Sequence, residues 1–537
     1  MKHLHRRAIS TRCFRQRQPT RHALVLVLVL VVVAMLSLAG YTFNELMFSA
    51  NRASRLGGRQ AQATYLVESG VEVLKYDLAT AGNNHKRSND PMLAQSMYGG
   101  VRVFKDEQRG WTGRFSIVTP VPSDEAPVVR FGLANESAKL NLAALLAWDE
   151  KKPGAARDAL MKLPRMTNEV ADSLLDWIDT DNHPREFGSE VDYYAGLDPP
   201  YQPRNGLVGT IEELLLVRGM SRQLLLGSDH NRNGVIEPIE VDKTEQVAGA
   251  NSTSGDSVGG ASMMHNGWSA WITLNSAEAN LDPEGQPRIN LNDRDLRGLH
   301  RRLSKHFDKQ VADFVVLYRQ FGPSTATSAV LENTTGSIDW TRKPTHLLAT
   351  ELDLAGVRVS AVFAGKKDPV VLRSPLGDDR SQLDQWLPKW LDYVTINPAP
   401  VIVGRININL APREVLEAIP GLESADVDAL LGRRRENSSN SGGSRRHPTW
   451  LASEGVISLD KMKPLMEFVT TGGDIHRGQV VGHFDDGGYQ ARVELVIDAS
   501  VRPPRIVQWR NLRHLGRAYP ESLLNAASGV EEQIARR

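Results

Sequence analysis

Ala23-Leu24-Val25-Leu26-Val27-Leu28-Val29-Leu30-Val31-Val32-Val33-Ala34-Met35-Leu36-Ser37-Leu38-Ala39-Gly40-Tyr41 is an unbroken run of uncharged, mostly apolar residues, and no charge follows until Glu45. About 20 such residues cross a bilayer as one helix. Upstream lie Lys2, Arg6, Arg7, Arg12, Arg15, Arg17 and Arg21, with no acid in residues 1–22. A basic leader stays cytoplasmic, so the rest of the chain is expected to face outward. A secretory signal has an apolar core of only about 7–15 residues, closed by a small-residue cleavage site. This run is longer and continues as helix. Ala63, Leu66, Val67, Gly70, Val71, Leu74 and Leu78 recur at three- and four-residue steps, one face of a helix. The Gly57-Gly58 pair between the two parts is expected to be a weak point or bend.

The chain has 537 residues, enough for two to four domains beyond such an anchor. Its 64 basic and 63 acidic side chains nearly cancel, so only a local basic face could serve a polyanion. Cys13, in the leader, is the single cysteine. An internal disulfide, a Cys-rich zinc site and a CxxC pair are thereby excluded. There is no HExxH, GxSxG, Walker A or GxGxxG pattern, and no enzyme is expected. His300, beside Arg301 and Arg302, reads as a surface residue.

Strand-like runs occur at both ends of the soluble part. Val101–Phe104 and Phe115–Val118 come first; Gln479–Phe484, Ala491–Ile497 and Arg505–Trp509 come last. Asp485-Asp486-Gly487-Gly488 reads as a hairpin turn. Between them lies a long helical region. Ser/Gly-rich residues 248–262 read as a linker, with looser stretches at 323–337 and 437–444. Strands flanking an insertion could form one antiparallel sheet. The expected boundaries are a leader 1–22, a spanning and stalk helix 23–80, strands 81–138, helical parts 139–275 and 276–470, closing strands 471–520 and a tail 521–537.

A phrase recurs as Lys139-Leu140-Asn141-Leu142, Arg288-Ile289-Asn290-Leu291-Asn292 and Arg405-Ile406-Asn407-Ile408-Asn409. Each leads into helix, and asparagine is a good helix cap. Three occurrences favour a repeated unit. Asp229 to Glu240 fits a twelve-residue calcium loop. Oxygen ligands would come from Asp229, Asn231, Asn233, the Val235 carbonyl and Glu240, with Glu237 direct or through water and Gly234 making the sharp turn. A plain Asp/Asn-rich turn is the competing reading. Arg405–Glu436, with Arg433, Arg434 and Arg435, reads as a helix-hairpin-helix. Glu423 follows Pro420-Gly421-Leu422 where a second glycine would admit phosphate, so no nucleic acid is expected.

An ordered series carries a family resemblance. It runs Leu174-Leu175-Asp176-Trp177-Ile178-Asp179-Thr180-Asp181, Gly188-Ser189-Glu190-Val191-Asp192-Tyr193-Tyr194, Pro200-Tyr201-Gln202-Pro203-Arg204-Asn205-Gly206 and Glu212-Glu213-Leu214-Leu215-Leu216-Val217-Arg218-Gly219. With Pro412–Gly421 and the asparagine phrases, it resembles the K-type minor pseudopilins of type II secretion, the general secretion pathway protein K family, over most of residues 23–515. The resemblance implies an α+β fold: a pilin-like long N-terminal helix and antiparallel sheet, with an inserted helical domain of two SAM-like parts. It also implies a tip position on a periplasmic pseudopilus, a single-pass inner-membrane anchor, and I- and J-type and other pseudopilins as partners. Calcium binding by the helical domain makes Asp176, Asp179, Asp181, Glu190 and Asp192 a possible second site. Prepilin peptidase cleavage, usually after glycine, would here fall at His22–Ala23. The acid common at the fifth mature position is Val27. The alternative remains a pilus-associated or DNA-uptake binding protein acting through its helix-hairpin-helix.

Overall fold

The computed structural model describes residues 21–80, 96–107, 110–121, 128–235, 240, 267–326, 330–331, 336–436 and 445–525. Leader residues 1–20, the 248–262 linker, the 437–444 loop and the last twelve residues lie outside them, as do the side chains of Arg21, His22 and Ala23. Two compact units are present, Met1–Gln62 and Ala63–Arg537.

One helix, Arg21–Thr80, accounts for the described part of the first unit and begins the second. It passes through Gly57 and Gly58 without a break. The expected weak point is therefore absorbed, because a glycine pair costs a helix only about 2 kcal/mol against alanine. Every side chain from Leu24 to Phe48 is exposed. The segment is long and apolar enough to cross a membrane.

The second unit is built on a seven-stranded antiparallel sheet. Its strands are β1 (Val101–Asp106), β2 (Trp111–Val121), β3 (Val128–Phe131), β4 (Ala134–Asn135), β5 (Ile475–Phe484), β6 (Ala491–Asp498) and β7 (Arg505–Asn511). The order is β1-β2-β5-β6-β7, with β3 also on β2 and β4 also on β5. Strands from either side of the insertion thus meet at β2–β5, where Val480 faces Ile117 and Gly482 faces Phe115. The hairpin expected at 485–488 joins β5 to β6.

Period decides how the faces pack. Ala63, Leu66, Val67, Val71 and Leu74 are buried with Phe115, Ile117, Val480, Leu495 and Ile497. Close approach explains two glycines. A Cβ on Gly482 would lie 2.2 Å from the Ala63 carbonyl oxygen, and one on Gly70 would lie 2.7 Å from Val480. The sheet's other face buries Val118 and Val481 under Ala518, Tyr519 and Leu524. A short helix, Glu521–Leu524, in the stretch read as a tail, therefore helps close this second core layer.

The insertion repeats one device three times. Leu140-Asn141 pairs in parallel with Ile272-Thr273, Ile289-Asn290 with Val394-Thr395, and Ile406-Asn407 with Val469-Thr470. In each, the asparagine Oδ1 accepts the amide two residues on, at 2.9, 2.9 and 3.0 Å. In each, the threonine hydroxyl accepts from the amide two residues on. The asparagine phrases are thus a repeated unit, and Asn141 is also the expected helix cap, preceding Leu142–Lys151. The resemblance implies two helical parts; the parallel brackets divide the insertion more finely, into 140–273, 289–395 and 406–470. Trp177 and Trp268, Trp390, and Trp450 fill the interiors of the three spans in turn.

Candidate functional site

Two oxygen-rich sites stand out, one at 229–240 and one at 176–190. In the first, an Asp/Asn turn wraps its side chains around its own amides. Asp229 accepts from the Asn233 amide at 3.1 Å and the Gly234 amide at 2.7 Å. Asn231 accepts from the Asn233 amide at 2.9 Å, and Asn233 from the Val235 amide at 2.7 Å. Glu240 Oε1 takes the amides of His230 and Asn231, each at 3.1 Å. Gly234 has φ +76°, the left-handed conformation glycine adopts freely, as a sharp turn here demands. Glu237 lies outside the described residues. The side chains of Asp229, Asn231, Asn233 and Glu240 are thus gathered on one short arc. All offer oxygen and two are carboxylates, the chemistry of a hard divalent cation such as calcium. Burial raises the Asp229 pKa, Glu240 adds to that, and the loop amides pull it back.

The sheet grips this loop from behind. Arg492 donates to the Asn231 carbonyl at 2.5 Å, and Gln479 to the Arg232 carbonyl at 2.7 Å. The buried Asn233 amide group donates to Ala518 at 2.9 Å, which turns its Oδ1 toward the loop. Arg232 pairs with Glu212 at 2.7 Å. Sequence reading finds the loop's oxygen-bearing side chains but misses Gln479, Arg492 and Ala518. They are some 250 residues distant, and nothing local marks them.

In the second site, Asp176 and Asp179 end the Asn168–Ile178 helix, and Glu190 precedes Val191–Ala195. Carboxylate oxygens of the three lie within 4.8 Å of one another. Arg185, which sequence reading also missed, donates to Asp176 at 2.7 Å and Asp179 at 2.5 Å. Gly188 permits this packing, since a Cβ there would lie 1.8 Å from Asp176 Oδ2. Glu190 is 5% exposed, and neither carboxylate oxygen has a hydrogen-bond partner among the described residues. Burial, with Asp176 and Asp179 beside it, raises its pKa to about 7. Three acids against one arginine leave room for a further cation. Asp181 and Asp192 do not join this group. Both are exposed, and Asp181 instead caps the His183 amide at 2.8 Å. The apolar members of the same motif are core: Leu174, Leu175, Trp177, Ile178 and Tyr194 are buried, with Trp177 edge-on to Tyr194 at 5.1 Å.

In the stretch read as a helix-hairpin-helix, two helices, Arg413–Glu417 and Ser424–Glu436, flank the hairpin. The Glu423 amide at the hairpin is already taken by Asp426 at 2.8 Å. Arg434 turns inward to the Ala411 carbonyl, and burial lowers its pKa to about 10. His300, read as surface, is largely buried and bonded to Asp313 at 2.7 Å, because its ring packs edge-on against Trp340.

Comparison with known proteins agrees with the motif reading. Residues 138–227 match the protein-family model for type II secretion system (T2SS) protein K. No curated protein matches the chain by sequence. Among solved structures, a chain of the GspK-GspI-GspJ complex from the enterotoxigenic Escherichia coli type 2 secretion system is similar, at 11% identity and TM-score 0.38, covering 85% of this chain and 98% of that one. Over residues 138–227, the chain is thus similar to protein K of the type II secretion system.

Proposed function

We propose that this protein is a minor pseudopilin at the tip of the type II secretion pseudopilus, a structural subunit and not an enzyme. The observation that carries the reading is the placement of the protein K domain. Residues 138–227 sit inside an insertion between β4 and β5 of a sheet whose face is covered by the helix residues 63–78. Such a subunit has a helix able to pack in a membrane and a head too bulky to be packed upon. The partners on this reading are the I- and J-type minor pseudopilins. The anchor lies in the inner membrane with the remainder in the periplasm, following the basic leader. Prepilin peptidase would act at His22–Ala23.

The loop at 229–240 would hold calcium through Asp229, Asn231, Asn233, Val235, Glu237 and Glu240. Its oxygen donors and left-handed glycine support this. The unpartnered Glu190 supports a second cation with Asp176 and Asp179. When bound, the ion supplies charge neutralisation and stiffness. The chain's own part is to hold the loop against Gln479 and Arg492. The test of the assembly role is to overexpress this chain alone with the assembly platform and peptidase present. A tip subunit makes no fibres of itself; long fibres made only of this protein would overturn the proposal.

A further inference from the structure

The outer edge of the sheet has the chemistry of a docking strand. Among the described residues, β7 pairs only with β6, so one side of Arg505–Asn511 carries unpaired backbone amides and carbonyls. Its side chains alternate exposed and half-buried, and Trp509 and Val507 are 47% and 38% exposed. Trp509 stands opposite Leu495, on the face that also buries helix residues 63–78. An exposed tryptophan beside unsatisfied strand edges is costly in water unless something binds there.

Charge narrows the occupant. Residues 499–520 hold Arg502, Arg505, Arg510, Arg513, Arg517 and His514 and no acid at all. Three of these arginines are satisfied internally: Arg505 by Asp498, Arg510 by Glu494 and Glu212, and Arg517 by Glu521. Arg502, Arg513 and His514 are exposed around the strand, and Arg513 stacks over Tyr489. Guarded edges in monomeric proteins use charge and bulges to repel strands. Here the register does shift near Val507. But the guard has one sign only, so it repels basic strands and attracts acidic ones. We propose that β7 accepts an extended acidic segment of a partner protein as an added strand, with Trp509 packing its apolar side chains and Arg502 and Arg513 meeting its carboxylates. A lipid headgroup would match the charge but cannot use the strand's backbone.

The test uses the full chain in detergent micelles and a synthetic peptide alternating glutamate and valine. The expected result is new amide-exchange protection at 506–510. Binding should be at least tenfold tighter than for the lysine–valine peptide, and weakened about tenfold by R502E with R513E or by W509A. An N-methylated glutamate–valine peptide, unable to pair as a strand, should not bind. Equal binding of the N-methylated or lysine peptide would overturn the proposal. So would binding of phosphatidylglycerol vesicles without the peptide. So would strong exchange protection of 506–510 in the free chain, which would mean that a segment of the chain itself covers the edge. None of these outcomes bears on the secretion assignment, which rests on other residues.

Discussion

Arg477 on β5 donates to both carboxylate oxygens of Glu136, each at 3.0 Å, across the point where the chain leaves the sheet for the insertion. Glu136 is fully buried. Burial alone would raise its carboxyl, but Arg477 and Lys139 overcome that and lower it to about 2. Arg477 also meets Glu494, which meets Arg510, which meets Glu212, which meets Arg232 of the Asp/Asn loop. One ladder of alternating charge, buried at Glu136 and half-buried beyond it, therefore ties the sheet, the insertion and the loop together.

This ladder sets acid stability. The folded pKa of Glu136 lies below its unfolded value. Its contribution is thus full above about pH 5, shrinks as pH falls below the ordinary glutamate pKa, and is gone below about pH 2. E136Q should lower stability at pH 7 by about 3 kcal/mol, because it leaves Arg477 partly unpaired in the interior. It should also flatten the stability loss between pH 5 and 3. Thermal melts across that range check both; an unaltered acid profile would refute the ladder.

Calcium removal should lower the melting temperature. A ligand held only by the folded state adds about 2.7 kcal/mol at roughly 100 times its Kd. D229A with E240A should abolish the chelator effect at the loop. The Glu190 pKa, raised to about 7 by burial and the neighbouring acids, makes cation binding at the second site compete with a proton. Any calcium response that survives D229A with E240A should therefore grow from pH 6 to pH 8 and vanish in E190Q. Melting curves insensitive to calcium at both pH values would end the metal reading.

The repeated asparagines should differ in cost. Asn407 is buried, accepts from Asn409 and donates to the carbonyls of Thr471 and Gly472 at 3.0 and 2.9 Å. N407A strands two carbonyls and should cost about 2–3 kcal/mol. Asn290 is only half-buried, and N290A should cost about 1 kcal/mol. Urea melts of the two variants would show equal losses if the parallel brackets were not the structural unit.

Two glycine substitutions separate contact from propensity. G482V drives a side chain into the Ala63 carbonyl and should destabilise by about 3 kcal/mol or more. G57A meets nothing within 4 Å and should leave the fold intact while adding about 1 kcal/mol of helix stability. Similar melting temperatures for the two variants would contradict the packing of helix on sheet.

Much of this architecture was legible because it is written in period and punctuation. The uncharged run to Asn44, the three- and four-residue steps from Ala63 to Leu78, and the strands around Asp485–Gly488 each needed only local pattern. The loop at Asp229–Glu240 was legible for the same reason. What local pattern could not carry was pairing across hundreds of residues. Arg185 looks like any loop arginine until Asp176 and Asp179 are placed beside it. Tyr519 and Leu524 look like tail until Val118 and Val481 are found beneath them. Asp181 and Asp192 share spacing with the acidic cluster, yet Asp181 lies in a bend past the helix end and both side chains face solvent.

The central claim is the proposed assembly role, and native mass spectrometry of the detergent-extracted chain co-expressed with I- and J-type minor pseudopilins measures it directly. One copy of this chain with one copy of each smaller pseudopilin is the predicted composition, and a homo-oligomer of this chain, or its recovery free of both, would contradict it.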